Sequence, residues 1–465
     1  MTIFDSLAPI YRLLPEIKNP ETKPPFMSRL KWTAAILVLF FIMGSIPLIG
    51  LDISKSAGGN LQVLQYILAS NIGTLLSVGI GPIVLASIIL QLLIGGKIIE
   101  MDLSDPKQKA QFSAVQKLLA IVFCFFEAGA YVMGGLLTPL PGWGLWVILQ
   151  VTLGSIALLY LDEIVSKYGI GSGIGLFIAG GVAAQIFWAI FNPFDNLLQL
   201  NLGAANGHIF RFFNELSLGF GQAFIANILP ILISVAIFFI VVFAEGMHVN
   251  IPITMGRAGI GGRFPVKLLY VSNIPVILAV AFFANIRILA LAMKSIPFVG
   301  GAMQAISTVL SPPNALFLRI LAQISSPGTG GVLGALGVLA PDLIQAFLYL
   351  IIFTITCVVF GKLWVSMAGQ DSEAVAGQLQ RSGMFIPGFR RDPRIVQQVL
   401  DRYIPTITIL GSIFVGLLAG FADLTGALGT GTGILLTVGI VYKMYEELAK
   451  QQMMETHPIL KKVFG

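Results

Sequence analysis

GIGSGIGLFIAGG, residues 169–181, is the stretch on which the reading of this chain turns. Glycine occupies positions 169, 171, 173 and 175, with Ile170, Ser172 and Ile174 between them. A phosphate-binding loop would need a lysine and a hydroxyl residue after its last glycine. Leu176 and Phe177 stand there instead, and the run opens into apolar sequence. A dinucleotide fingerprint would need a preceding strand, whereas a long apolar run ends just before, at Leu161. Small residues in a membrane helix let neighbouring backbones approach closely. Residues four apart share one helix face, so the spacing predicts a thin-walled helix with Ile170 and Ile174 pointing the same way. Two readings of the isoleucines stand side by side: ordinary bundle or lipid contact, or a constriction that closes a pore by keeping it dry.

The rest of the chain supports a lipid solvent. Of its 465 residues 56% are hydrophobic and only 11% are charged, against about a quarter charged in a soluble protein. Ten apolar runs are long enough to approach a span of about 20 residues. They lie near 32–50, 74–94, 117–137, 144–161, 170–191, 223–244, 269–291, 342–361, 403–421 and 432–448. The first follows a polar tail with Arg12, Lys18, Lys23 and Arg29 and has no small-residue cleavage site, so a first span is expected, not a signal peptide. With the N-terminus inside, only Lys55, Arg211, Arg287, Lys294 and Arg319 of the 28 basic residues fall outside. Such a bias orients membrane proteins, and an even number of spans brings both termini to the cytoplasmic side. The net charge of +6 follows from the same bias and does not require nucleic acid. Cys124 and Cys357 lie in apolar runs and are expected to pack, not to pair.

Three segments are not simple spans. NLQVLQYILASNI, residues 60–72, is apolar but too short to cross and reads as a half-helix. The loop 362–402 is long and charged, and Asp392 followed by Pro393 marks a helix start. The outer segment 292–341 is rich in Gly, Pro and Ser. An internal echo also stands out: GSGIGLFIAGG from Gly171 resembles GTGTGILLTVG from Gly429. Each opens the last span of a group of five, which predicts two halves in opposite orientations; a chance likeness between glycine-rich spans is the alternative.

Four longer runs carry a resemblance. LDEIVSKYGIGSGIGLFIA (161–179), IGTLLSVGIGPIV (72–84), VSNIPVILAVAFFANI (271–286) and GTGTGILLTVGIVYKMYEEL (429–448) resemble the SecY family of protein-conducting channel subunits, archaeal type, which is similar to the eukaryotic alpha subunit. The resemblance covers nearly the whole chain, from Leu30 to His457. It implies an all-α polytopic membrane protein of ten transmembrane helices, in two inverted five-helix halves around a central pore. The implied parts are a cytoplasmic tail 1–31, a first half 32–191, an external loop 192–222, a second half 223–448 and a cytoplasmic tail 449–465.

Carried over motif by motif, the resemblance assigns the pore ring to Ile80, Val84, Ile170, Ile174, Ile274 and Leu436. It assigns the plug to the segment near 62–72, with Gln62, Leu64, Tyr66, Ile67, Leu68 and Ser70; an interfacial helix is the alternative there. A lateral gate between the second and seventh spans would carry Gln91, Glu127, Asn273 and Asn285. Leu85 replaces a hydroxyl residue frequent in the family, which leaves the gate's polar set open, and Glu127 has a structural hydrogen bond as its alternative role. The family's ribosome-docking loops match 245–268, with Arg257 and Arg263, and 362–402, with Arg390, Arg391, Arg394 and Arg402; ordinary positive-inside charge would also account for these arginines. The implied partners are a SecE-type and a small beta-type subunit, the ribosome, signal sequences, nascent polypeptides and membrane lipids. No specific nucleic acid beyond ribosomal RNA is implied, and the implied location is the cell membrane. No cofactor or metal is expected. His208, His248 and His457 are widely separated and no catalytic constellation is visible, so an enzyme is not expected. The rival reading is a secondary transporter, which also uses inverted repeats but usually buries ionisable residues at mid-membrane; Glu127 is the clearest such residue here.

Overall fold

A computed structural model of the chain describes residues 9, 14–22, 24–52, 70–96, 98–99, 101, 105–194, 205–255, 261–267, 273–294, 296, 298–313, 315–325, 337–381, 384–385 and 393–456. The first half contributes α1 (Phe26–Met43), α2 (Gly81–Gly95), α3 (Pro106–Met133), α4 (Gly144–Tyr168) and α5 (Gly173–Phe191). A short helix α6 (His208–Glu215) leads to α7 (Phe220–Gly246), which contains a π-helical turn at Phe224–Ile228 just before Pro230. Then follow α8 (Ile274–Ala292), α9 (Val299–Val309), α10 (Leu316–Ser325), α11 (Ala340–Met367), α12 (Ser372–Arg381), α13 (Pro393–Leu424) and α14 (Gly431–Thr456). Eight of the described helices are long and apolar enough to cross a membrane. The shorter α2 and the apolar first half of α14 complete a ten-helix bundle.

Helix limits differ from the apolar runs for local reasons. The first helix starts at Phe26 and stops at Met43, because Gly44, Pro47 and a left-handed Gly50 turn the chain. The run from 74 is not helical until Gly81; Gly79 adopts φ +63° and Pro82 opens the helix. α3 begins in polar sequence, where the Asp105 side chain accepts from the Lys107 N–H at 3.1 Å and Pro106 occupies the first turn. α4 likewise continues past Leu161 to Tyr168. Hydropathy sees only the lipid-facing part of such helices, whereas backbone hydrogen bonding continues into the headgroup layer. The helix expected to start at Asp392–Pro393 does not form a separate loop helix. It begins at Pro393 and runs unbroken through Pro405 as α13, since packed bundles tolerate an interior proline.

The loops add one element the all-helical expectation lacks. Among the described residues, β1 (His248–Met255) pairs antiparallel with β2 (Gly261–Lys267) and with β3 (Met384–Phe385). This small sheet ties the loop 245–268 to the loop 362–402. The segment after α8 holds α9 and α10. They are fixed to α11 by an Arg319–Asp342 ion pair at 2.8 Å and by the Gln345 amide donating to the Thr308 and Ser311 carbonyls.

One apolar cluster draws buried residues from nearly every bundle helix: Phe40, Ile88, Leu158, Phe177, Val241, Phe283, Phe353, Val415 and Leu435 among them. The two halves meet along two seams. On one, α2 and α3 lie against α8; on the other, α5 lies against α14. The N-terminal tail straps the ends of α3 and α4. Glu163 accepts from Lys117 at 2.8 Å and from Lys167 at 2.9 Å, and Lys117 also donates to the Pro15 carbonyl at 2.6 Å.

Candidate functional site

The glycine run meets its echo across the α5–α14 seam. A Cβ placed on Gly171 or Gly175 would touch Met444 or Ile440, each at 3.3 Å. A Cβ on Gly433 or Gly429 would press on Val182 at 3.2 Å or Ile186 at 2.7 Å. The pairs run antiparallel: Gly171 with Met444, Gly175 with Ile440, Val182 with Gly433, Ile186 with Gly429. Laying Gly171 on Gly429 carries the first pair onto the last and the second onto the third. The echo is therefore a true inverted repeat, and its glycines let two helices of opposite direction approach closely.

The turns that open these two helices repeat as well. Ser172 caps α5 by accepting from the Gly175 N–H at 3.4 Å; Thr430 caps α14 by accepting from the Gly433 N–H at 3.0 Å. Gly171 and Gly429 adopt φ +72° and +69°. A carboxylate from the preceding helix completes each turn. Asp162 accepts from the Ile174 N–H at 2.8 Å and from Gly173; Asp423 accepts from the Thr432 N–H at 2.7 Å and from Gly431. Asp423 also accepts from the Tyr349 hydroxyl at 3.0 Å and from the Thr432 hydroxyl. Sequence reading missed both aspartates, although the echo held the signal. Its alignment pairs Ser172 with Thr430, and an acidic residue stands shortly upstream of each.

The six positions expected to form the ring stand at or near four helix starts. Ile80, Val84 and Leu436 are buried in the main cluster, and half-buried Ile174 and Ile274 pack against it. Ile170 does not share a helix face with Ile174, contrary to the spacing argument. α5 begins only at Gly173, so Ile170 lies in the bend before it, 1% exposed and outside that cluster. Its N–H donates to the Thr33 hydroxyl at 3.0 Å, that hydroxyl donates to the Arg29 carbonyl at 2.9 Å, and the Arg29 side chain donates to the Gly169 carbonyl at 2.7 Å.

The four gate positions do not form one group. Gln91 donates to Ser87 at 2.9 Å, ten residues along α2 from Gly81, about 15 Å at the helical rise. Glu127 lies against Gly81: its Oε2 sits 2.6 Å from where a Cβ would be, and neither carboxylate oxygen has a hydrogen-bond partner among the described residues. Asn285 donates to the Ala281 carbonyl at 2.9 Å within α8. Asn273, at the start of α8, faces α14 instead: it donates to the Leu435 carbonyl at 3.3 Å, and a Cβ on Gly439 would overlap its amide.

Of the plug positions only Ser70, buried, belongs to the described residues; Gln62, Leu64, Tyr66, Ile67 and Leu68 lie outside them. Arg257, Arg390 and Arg391 also lie outside. Arg263 falls on β2 opposite Pro252, Arg394 in the first turn of α13, and Arg402 is exposed one turn before Pro405. Cys124 and Cys357 are buried free thiols.

The SecY family model matches residues 74–445, and the model described as the plug domain of Sec61p matches residues 38–73. The chain belongs to the SecY family. The protein translocase subunit SecY of Methanothermobacter thermautotrophicus is 44% identical over 99% of both chains. A solved structure of a protein-conducting channel matches with a TM-score of 0.82 at 43% identity, covering 97% of this chain and 98% of that one. Sec61 in the canine ribosome–channel complex from the endoplasmic reticulum matches with a TM-score of 0.79 at 43% identity, with the same coverage. The SecY fold accounts for the ten-helix bundle and its two inverted halves. It places the chain among multi-pass membrane channels and not among enzymes.

Proposed function

We propose that this chain is the channel-forming subunit of a protein translocase, passing unfolded polypeptide through a central pore and releasing apolar segments sideways into lipid. The observation that supports this reading is that aliphatic residues stand at or near four helix starts, two in each half, and five of the six, Ile80, Val84, Ile174, Ile274 and Leu436, lie in or against the one apolar cluster shared by both halves. An aliphatic collar offers no hydrogen bonds to replace the hydration of water or ions, so a narrow one stays dry. Aliphatic contact is also non-directional, so the collar accommodates any passing side chain. The segment near 62–72 serves as the plug on the outer side of this ring. The seam of α2 and α3 with α8 is the lateral gate, where Glu127 is costly to bury and gains hydration when the seam parts.

Both termini and the sheet-linked loops face the cytoplasm, as the bias of basic residues supports. There the sheet joins the two basic loops into one platform for a ribosome, the assembly in which the canine relative was solved. No nucleotide motif occurs in the sequence, so the driving force comes from such a partner. SecE-type and beta-type subunits brace the bundle. The solute-transporter alternative finds no support among the matched proteins.

The test is bilayer conductance of the purified complex without substrate. Ile174→Ser with Ile274→Ser raises resting ion conductance while translocation is largely retained, and leucine at both positions changes little. Serine variants as tight as the parent would sink the seal.

A further inference from the structure

α5 has little side-chain bulk at its start. Glycines at 171, 173 and 175 leave the contacts that set its position there to the backbone and not to side chains of its own. Yet two ring residues, Ile170 and Ile174, depend on that position. Both have their own backbone N–H held by a side chain from another helix. The Ile170 N–H donates to Thr33 of α1, 7% exposed, and the Ile174 N–H donates to Asp162 of α4. Gly173 sits so close to α4 that a Cβ would lie 2.5 Å from the Asp162 Cα. The carboxylate therefore meets the amides at short range, and the glycine is required by that approach.

We infer that Asp162 and Thr33 are positioning residues of the pore seal: they set the height and angle at which Ile174 and Ile170 enter the ring. This rests on the seal reading above. The second half carries the same device. Asp423 holds the Gly431 and Thr432 N–H groups, which the repeat aligns with Gly173 and Ile174, one turn before Leu436. Ser172 and Thr430 satisfy only the Gly175 and Gly433 amides, and in each half a carboxylate from the preceding helix takes the equivalent first two amides. The clamp acts through the backbone and leaves the ring chemically aliphatic.

The experiment compares Asp162→Ala, Asp162→Asn, Thr33→Val and Thr33→Ser with Ile174→Ser in purified complex. One readout is resting bilayer conductance without substrate. The other is the distance distribution between spin labels at 174 and 274, measured by pulsed electron resonance. Asp162→Ala and Thr33→Val are expected to raise resting conductance severalfold and to broaden the distribution. Asp162→Asn and Thr33→Ser keep an acceptor and stay at the parent level. Thr33→Val is nearly isosteric, so it tests the clamp even where Asp162→Ala does not fold. If Ile174→Ser leaks while Asp162→Ala and Thr33→Val stay tight with narrow distributions, the positioning role is overturned and the seal stands. If Ile174→Ser is tight but the clamp variants broaden the distribution, the clamp stands and the seal reading fails.

Discussion

Gly154 lies in α4 against the non-helical segment that leads to Ile80. A Cβ there would overlap the carbonyl oxygen of Leu75 and lie 2.9 Å from its carbonyl carbon, where ordinary contact begins at 3.4 Å. The obstacle is backbone and cannot rotate away, so the Leu75 segment must retreat by roughly 1 Å. Alanine gains about 0.5–1 kcal/mol over glycine from helix propensity. Overpacking costs about 1–3 kcal/mol, with rigid backbone at the upper end. Gly154→Ala is therefore net destabilising by about 1–2 kcal/mol, after subtracting that gain from that cost. Gly129 in α3 is the matched control, because nothing lies within 4 Å of its Cβ position. Gly129→Ala keeps the propensity gain and is neutral or stabilising. The two buried free thiols provide the assay: a thiol-reactive fluorophore reaches Cys124 and Cys357 only as the bundle opens. Gly154→Ala melts a few degrees below the parent and Gly129→Ala does not. Leu75 is five residues before Ile80, so the displaced segment also reaches the ring, and resting conductance rises in Gly154→Ala. Equal melting of the two variants would refute the close-approach argument.

Two further variants test other parts of the molecule. Charge reversal at Arg390, Arg391, Arg394 and Arg402 weakens ribosome co-sedimentation at fixed salt while leaving the thiol melt within about 0.5 kcal/mol of the parent; unchanged binding would leave these arginines only a topological role. In the short helix α6, burial, with Arg211 nearby, holds His208 below the usual imidazole range. The unfolded chain therefore takes up this proton first as the pH falls. Stability from this site is full above about pH 6.5 and is lost as the pH drops through the folded value. His208→Gln should flatten that part of the melting profile, and an unchanged slope would show that His208 is not its source.

Much of the architecture was legible because lipid imposes a simple rule on sequence. A span must be apolar along its length, so ten runs announced the bundle, and the glycine echo announced the inverted repeat. The proposed aliphatic ring rests on motif resemblance, since its residues sit beside distinctive local signatures such as GPIV or SNIP. The surroundings of the polar gate positions were not legible. A side chain such as Asn273 sits at a helix start in sequence, but nothing local says that it faces α14 and not α3.

The sequence by itself determined the solvent, the ten apolar spans and the two-fold repeat, because those depend on composition and period along one chain. Only the tertiary structure decided where α5 begins and what holds it there. Ile170 and Ile174 are four apart and would share a helix face, but the left-handed Gly171 puts Ile170 in a bend before the helix. The amides on either side are taken by Thr33, 137 residues away from Ile170, and by Asp162 on the preceding helix. Tertiary structure likewise joined the two basic loops through strands that no apolar alternation predicted. Hydrogen bonds between distant segments leave no period in the sequence. They are fixed only when packing has brought the partners within reach, and there a buried amide must find an acceptor.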